Sequence, residues 1–146
     1  RFDGNVSRID DPDVSVVSME GSIGSVIAAV RFPKAKLVET PAMSGPSAQL
    51  MDLVSKKADV TFVDTLIVHE FEKKNPGKVH PVGGIGPVNV WGNTIAFGKR
   101  EEPLVNAINT ATEEMLYSGE IDSILKKYDS GTKDFYRAAK PYESGK

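Results

Sequence analysis

Two stretches of this chain carry residue types that could recognise a small charged molecule. In "MEGSIGSVIAAV", residues 19–30, Gly21, Ser22, Ile23 and Gly24 stand between an apolar β-branched run and a run with helical spacing. A strand-to-helix corner of that kind turns the unbonded N–H groups of the first helical turn, and the positive end of the helix dipole, toward whatever lies in front of it. Such a corner suits an anionic or carbonyl group. In the second stretch, "DVTFVDT" at 59–65, a β-branched run ends on Asp64 and Thr65. A carboxylate placed there can accept hydrogen bonds from an ammonium group. Donors and an acceptor facing one crevice would hold a small zwitterion, so Gly21, Ser22, Ile23, Gly24, Asp64 and Thr65 are the candidate binding residues.

Both stretches also have a plainer reading. A glycine-rich corner is often only a tight turn, with Ser22 capping the helix, and Asp64 before Thr65 and an apolar stripe is a common helix N-cap. Cap and ligand roles are compatible. Other chemistry finds less support. The corner lacks G-x-G-x-x-G and the P-loop lysine, which argues against a nucleotide. His69-Glu70-Phe71-Glu72-Lys73 has the outline of a zinc-protease helix, but Lys73 stands where the second histidine is required. His69 and His80 lack a third ligand and read as surface histidines, and no nucleophile, base and oxyanion donors can be assembled. No catalytic residue, metal or cofactor is expected.

The elements that must position these residues follow from apolar spacing. "DVSVVSM" (13–19), "KLVET" (36–40) and "DVTFV" (59–63) read as strands. Between and after them, Ile23, Val26, Ile27 and Val30 mark a helix closed by Pro33; Leu50, Leu53 and Val54 mark a second, with Ser44 or Ser47 as N-cap; Leu66, Ile67 and Phe71 mark a third, stopped at "NPG" (75–77). Strands alternating with helices imply βαβ units, a parallel sheet and right-handed crossovers. In such sheets ligands sit beyond the carboxyl ends of the strands, where both candidate stretches fall. "KVHPV" (78–82) reads as a fourth strand, at an edge because of its proline, and "TIAFG" (94–98) as a further one. Trp91, in the connector "GGIGPVNVWGN" (83–93), could line a cleft or cover apolar surface. A helix from Pro103 carries Leu104, Ile108, Ala111 and Met115 until Gly119; a last one carries Ile121, Ile124, Leu125 and Tyr128 and stops at Asp129-Ser130-Gly131. The tail with Phe135, Tyr136 and Tyr142 has no period and could wrap a neighbour or move.

Composition limits the partners. The 146 residues are 40% hydrophobic and 26% charged, ordinary for a folded domain, with 18 Lys and Arg against 20 Asp and Glu. Nothing in that balance attracts nucleic acid or an anionic membrane. No apolar run approaches the roughly 20 residues needed to cross a bilayer, so no membrane insertion is expected. With no cysteine there is no disulfide and no thiolate zinc site.

The order of features resembles the second lobe and carboxyl-terminal segment of periplasmic solute-binding proteins of the amino-acid-binding type. The stretches that carry the resemblance are "VSVVSMEGSIG" (14–24), "SAQLMDLVSKKADVTFVD" (47–64), "FEKKNPGKVHPVG" (71–83) and "NTIAFGKREEPLVNAINTATEEMLYSGEIDSILKKYD" (93–129). The resemblance implies a three-layer α/β lobe with a mostly parallel, doubly wound sheet over residues 1–98, and a helical segment over 99–146. It implies a non-catalytic protein that binds an amino acid or related carboxylate for an ABC permease, in the periplasm or at the cell surface, with a lipoprotein anchor as one arrangement. It places Gly21–Gly24 and Asp64 on the ligand-facing edge, Asp64 receiving an amino group. The position of Ile23 often carries a hydroxyl in that family; here only its N–H can serve.

Two further expectations follow from the same likeness. The chain starts as if just past the family's hinge, so one lobe alone should bind weakly, and the exposed faces of its last helices should drive a homodimer or an exchange of segments between copies. Cyclohexadienyl dehydratases are similar to this family, and "RFDG" (1–4) with "DDPDV" (10–14) resembles that branch loosely; there Asp64 would act as a proton donor or acceptor. A sensor ectodomain of the same fold is the third alternative.

Overall fold

The structure, a computed structural model, describes residues 1–84, 86–129 and 135–136. It divides into two compact units, Arg1–Gly86 and Pro87–Lys146. The first contains a three-stranded parallel sheet of β1 (Ser15–Met19), β2 (Lys36–Thr40) and β3 (Val60–Thr61), in the order β2-β1-β3. The register runs Val16 opposite Leu37 and Val60, and Val17 opposite Val38 and Thr61. Helices α1 (Ile23–Arg31), α2 (Pro46–Val54) and α3 (Thr65–Lys74) each follow a strand, in the alternation that parallel pairing requires.

Alternation along the strands separates two cores. Val16 and Val60 join Ile9, Val14, Ala28 and Phe32 in one buried cluster, where Phe32 stacks on Phe62 with ring centroids 5.4 Å apart. Thr61 turns the other way and reaches Gln49 of α2, and Leu50, Phe71 and Val79 form the second cluster on that side. The sheet therefore carries α1 on one face and α2 with α3 on the other, an α/β arrangement.

The face that α1 buries differs from the one its sequence suggests. Ile23, Val26 and Val30 are exposed, and the helix packs through Gly24 and Ala28, with Ile27 half-buried. Small residues let the helix axis approach the sheet closely, and that approach outweighs the larger side chains one position round. Two other expectations are corrected. Residues 78–82 and 94–98 are in no ladder, although Val79 is buried in the second cluster. Helix α2 is capped by Gly45 with Pro46 at its first turn, and neither Ser44 nor Ser47 supplies a capping side chain.

The first four residues are fastened to the far end of the same unit. Gly4 N–H donates to Gly83 O at 2.7 Å, and Gly83 N–H donates to Asp3 Oδ1 at 2.6 Å. In the second unit α4 (Glu102–Tyr117) and α5 (Glu120–Tyr128) pack on each other across Gly119, whose φ of +81° is the left-handed turn glycine allows. Leu104 and Ile124 of the expected apolar stripes are exposed, while Ile108, Met115 and Leu125 are half-buried. Ser130, Gly131 and Tyr142 lie outside the described residues. Among the described residues no helix is long and apolar enough to cross a membrane.

Candidate functional site

The candidate residues stand at the carboxyl ends of two neighbouring parallel strands. β1 ends at Met19, and Ser22 N–H donates to Met19 O at 3.0 Å to close the turn. Gly21 takes φ of +70° there, in open space, so its requirement is backbone conformation rather than room. Ser25 Oγ donates to the same Met19 carbonyl at 2.9 Å, tying the first turn of α1 to the strand end.

Gly24 has the opposite requirement. A Cβ at this buried position would lie 2.6 Å from Ser18 Oγ and 3.0 Å from Phe62 O. Its missing side chain therefore sets the start of α1 against β1 and against the residues leading out of β3. Asp64 follows Phe62 by two residues, so Ser22 and Asp64 both follow the carboxyl ends of neighbouring parallel strands.

Both capping explanations fail at the level of the side chain. Ser22 occupies the N-cap position of α1 with φ −81° and ψ 164°, but makes no capping bond; its Oγ lies 3.0 Å from Ser18 Oγ instead. Asp64 occupies the N-cap position of α3 and likewise makes no side-chain cap. Its carbonyl starts that helix by accepting from Ile67 N–H at 3.0 Å, while the residue itself is exposed. With Gly45 before α2, all three helices of this unit begin at the same edge without a side-chain cap. Their first-turn N–H groups therefore receive no hydrogen bond from an N-cap side chain. Ile23 exposes its side chain beside them, and Thr65 is exposed at the start of α3.

Beneath these strand ends lies a polar layer that apolar periodicity conceals. Ser18 and Gln49 are buried, and Thr61 Oγ1 lies 2.8 Å from Val17 O and 3.0 Å from Gln49 Oε1. Serine and threonine inside otherwise apolar strands were the only hint of this layer in the sequence. At the opposite end of the sheet, Ser15 N–H and Oγ donate to Asp59 Oδ2 at 2.9 and 2.8 Å. The Ser15 N–H bond holds the Asp59 carboxyl below its ordinary value of 3.8, against partial burial, with the Ser15 hydroxyl and the Arg1 guanidinium at 3.7 Å adding to the effect.

A cavity of about 410 Å³ lies beside β3, and Thr65, His69 and His80 line it together with Leu53, Val63 and Val68. The two histidines are thus brought to one cavity, which their positions in the sequence did not suggest. In the motif around His69, Glu70 pairs with Lys73. Among the described residues no three His, Asp or Glu side chains are placed to hold a metal ion. A scan against models of protein families finds no match for this sequence, and a search of curated proteins finds none.

Proposed function

We propose that this chain is a ligand-facing lobe of a solute-binding protein of the amino-acid-binding type, with the doubly wound fold of type II periplasmic binding proteins. The observation that carries the reading is the pair of neighbouring strand ends, one followed by the uncapped start of α1 and the other by an exposed Asp64 that caps nothing. In this role the N–H groups following Ser22 take a carboxylate and Asp64 takes an ammonium group, so a small zwitterion spans the two strand ends. Thr65 adds a hydroxyl, and Ile23 covers the ligand with an apolar side chain. The protein holds its solute without changing it and passes it to an ABC permease, in the periplasm or at the cell surface.

Amide shift perturbation tests the proposal. Titrating amino acids into the ¹⁵N-labelled chain is expected to move Gly21–Ser25 and Asp64–Leu66 at millimolar ligand, with Asp64→Asn abolishing the response to zwitterions. A site open on one side leaves a ligand half solvated, and each charge-assisted bond contributes only roughly 1.5–3 kcal/mol. No perturbation at either stretch by any amino acid or simple carboxylate would overturn the reading, as would conversion of prephenate to phenylpyruvate.

A further inference from the structure

The cavity of about 410 Å³ belongs entirely to the first unit and lies on the face of the sheet that α2 and α3 cover. Asp59, Thr61, Val63 and Thr65 reach it at the two-residue period of an extended chain, while Leu50 and Leu53 line it from α2 and Val68 and His69 from α3. Thr65, Val68 and His69 share one helix face at this spacing. Residues 1–3 and 79–82 complete the lining. The volume suits a small organic molecule.

Polarity is graded across this cavity. Leu50, Val60 and Val79 are buried and form an apolar floor, whereas Thr65 and His80 are exposed and mark the mouth. The carboxylates in the lining are already served by the protein: Asp59 takes the N–H and hydroxyl of Ser15, with the Arg1 guanidinium 3.7 Å away, and Asp3 takes the Gly83 N–H. Thr61 is likewise held by Val17 and Gln49. Among the described residues the Thr65 hydroxyl and the His80 imidazole have no protein partner, and both can donate a hydrogen bond. Asp64, the next carboxylate along the chain, does not line the cavity. A ligand's polar end therefore meets donors at the mouth of an apolar cavity and no unpaired carboxylate.

We propose that this cavity binds a small monocarboxylic acid with an apolar body. The body lies over Leu50, Val60 and Val79, and the carboxylate stays at the mouth, where it accepts from Thr65 and His80. An apolar amine is disfavoured because the lining carboxylates that would receive it are occupied, and a neutral apolar molecule forgoes the charge-assisted bonds at the mouth. The cavity shares Thr65 with the proposed zwitterion site but uses neither Asp64 nor the turn at Ser22, so the inference does not rest on that reading.

Titration of sodium octanoate, octanol and octylammonium chloride into the isotope-labelled chain, followed through its methyl signals, tests the proposal. Octanoate is expected to shift the methyls of Leu50, Val60 and Val79 with a dissociation constant below about 1 mM, and to bind about fivefold or more tightly than octanol or octylammonium. Thr65→Val with His80→Ala, both at exposed positions, should remove that preference and leave octanol binding within about twofold. Val68→Phe should weaken octanoate and octanol alike by about tenfold, because its ring fills the cavity. Far-ultraviolet circular dichroism checks the fold of this variant, and the exposed pair of substitutions decides the matter where it does not fold. Octanoate lacks an ammonium group, so its binding is judged separately from the response of Asp64 to amino acids. Four results would each overturn the proposal: no methyl shift with octanoate, octanol or octylammonium binding as tightly as octanoate, a preference indifferent to the double variant, or shifts confined to exposed methyls such as those of Val26 and Val30.

Discussion

Gly21 and Gly24 show how two identical residues three positions apart can be required for unrelated reasons. Gly21 supplies a left-handed φ in open space, whereas Gly24 supplies the absence of a Cβ that would meet Ser18 Oγ and the Phe62 carbonyl. Gly24→Ala must displace α1 from the sheet, because one of the obstructing atoms is backbone, and is expected to cost about 1–3 kcal/mol. Gly21→Ala meets no atom and is expected to cost about 1–2 kcal/mol through its φ alone. Urea unfolding of the two variants checks the magnitudes, and amide shifts distinguish the causes: Gly24→Ala should move Phe62–Asp64, and Gly21→Ala should leave them in place. Equal and local perturbation by both would contradict the close approach described here. Neither role is visible in the sequence, where both residues read as components of one turn. Ser22 and Asp64 are similar cases. Their types and positions announce helix N-caps, and the backbone does place them there, but each side chain is free to choose another partner or none.

At the scale of elements, legibility tracked the range of the interactions. β2 and α3 occupy the residues that local patterning predicts, Lys36–Thr40 and Thr65–Lys74, because alternation, helical spacing and the stop at Asn75 are local. The segments 78–82 and 94–98 have strand composition but no ladder, since a strand exists only with a neighbour and composition does not supply one. The burial of α1 through Gly24 and Ala28 was hidden for the same reason: which face is buried depends on how near the sheet lies. The clamp between Ser15 and Asp59 joins the starts of β1 and β3 and has a consequence for acid stability. The Asp59 carboxyl titrates below 3.8 when folded and near that value when unfolded, so its stabilising contribution is complete above this range and is lost as pH falls through the folded value. The urea midpoint of the native chain should therefore drop more between neutral pH and pH of about 3 than that of Asp59→Asn. Parallel pH profiles for the two proteins would contradict the clamp.

The molecule as a whole is two units of different character. All three strands and both buried clusters belong to Arg1–Gly86, whereas the unit from Pro87 onward contributes no residue to the described core. A fragment ending at Gly86 is accordingly expected to fold on its own, with one sigmoidal urea transition and slow exchange of the Val16 and Val17 amides. Gradual, uncooperative unfolding of this fragment would show that the sheet depends on the helices beyond it. Its small core makes the test a demanding one, since short domains bury a smaller share of their surface.

Gly4 N–H is bonded to the Gly83 carbonyl and Gly83 N–H to the Asp3 carboxylate, so the polypeptide enters and leaves its sheet at one place. A protein engineer could splice this body of about eighty residues into a surface turn of an unrelated host, because a guest whose two ends already touch imposes little stretching on the recipient. Any motion of the guest would then pivot on those paired glycines.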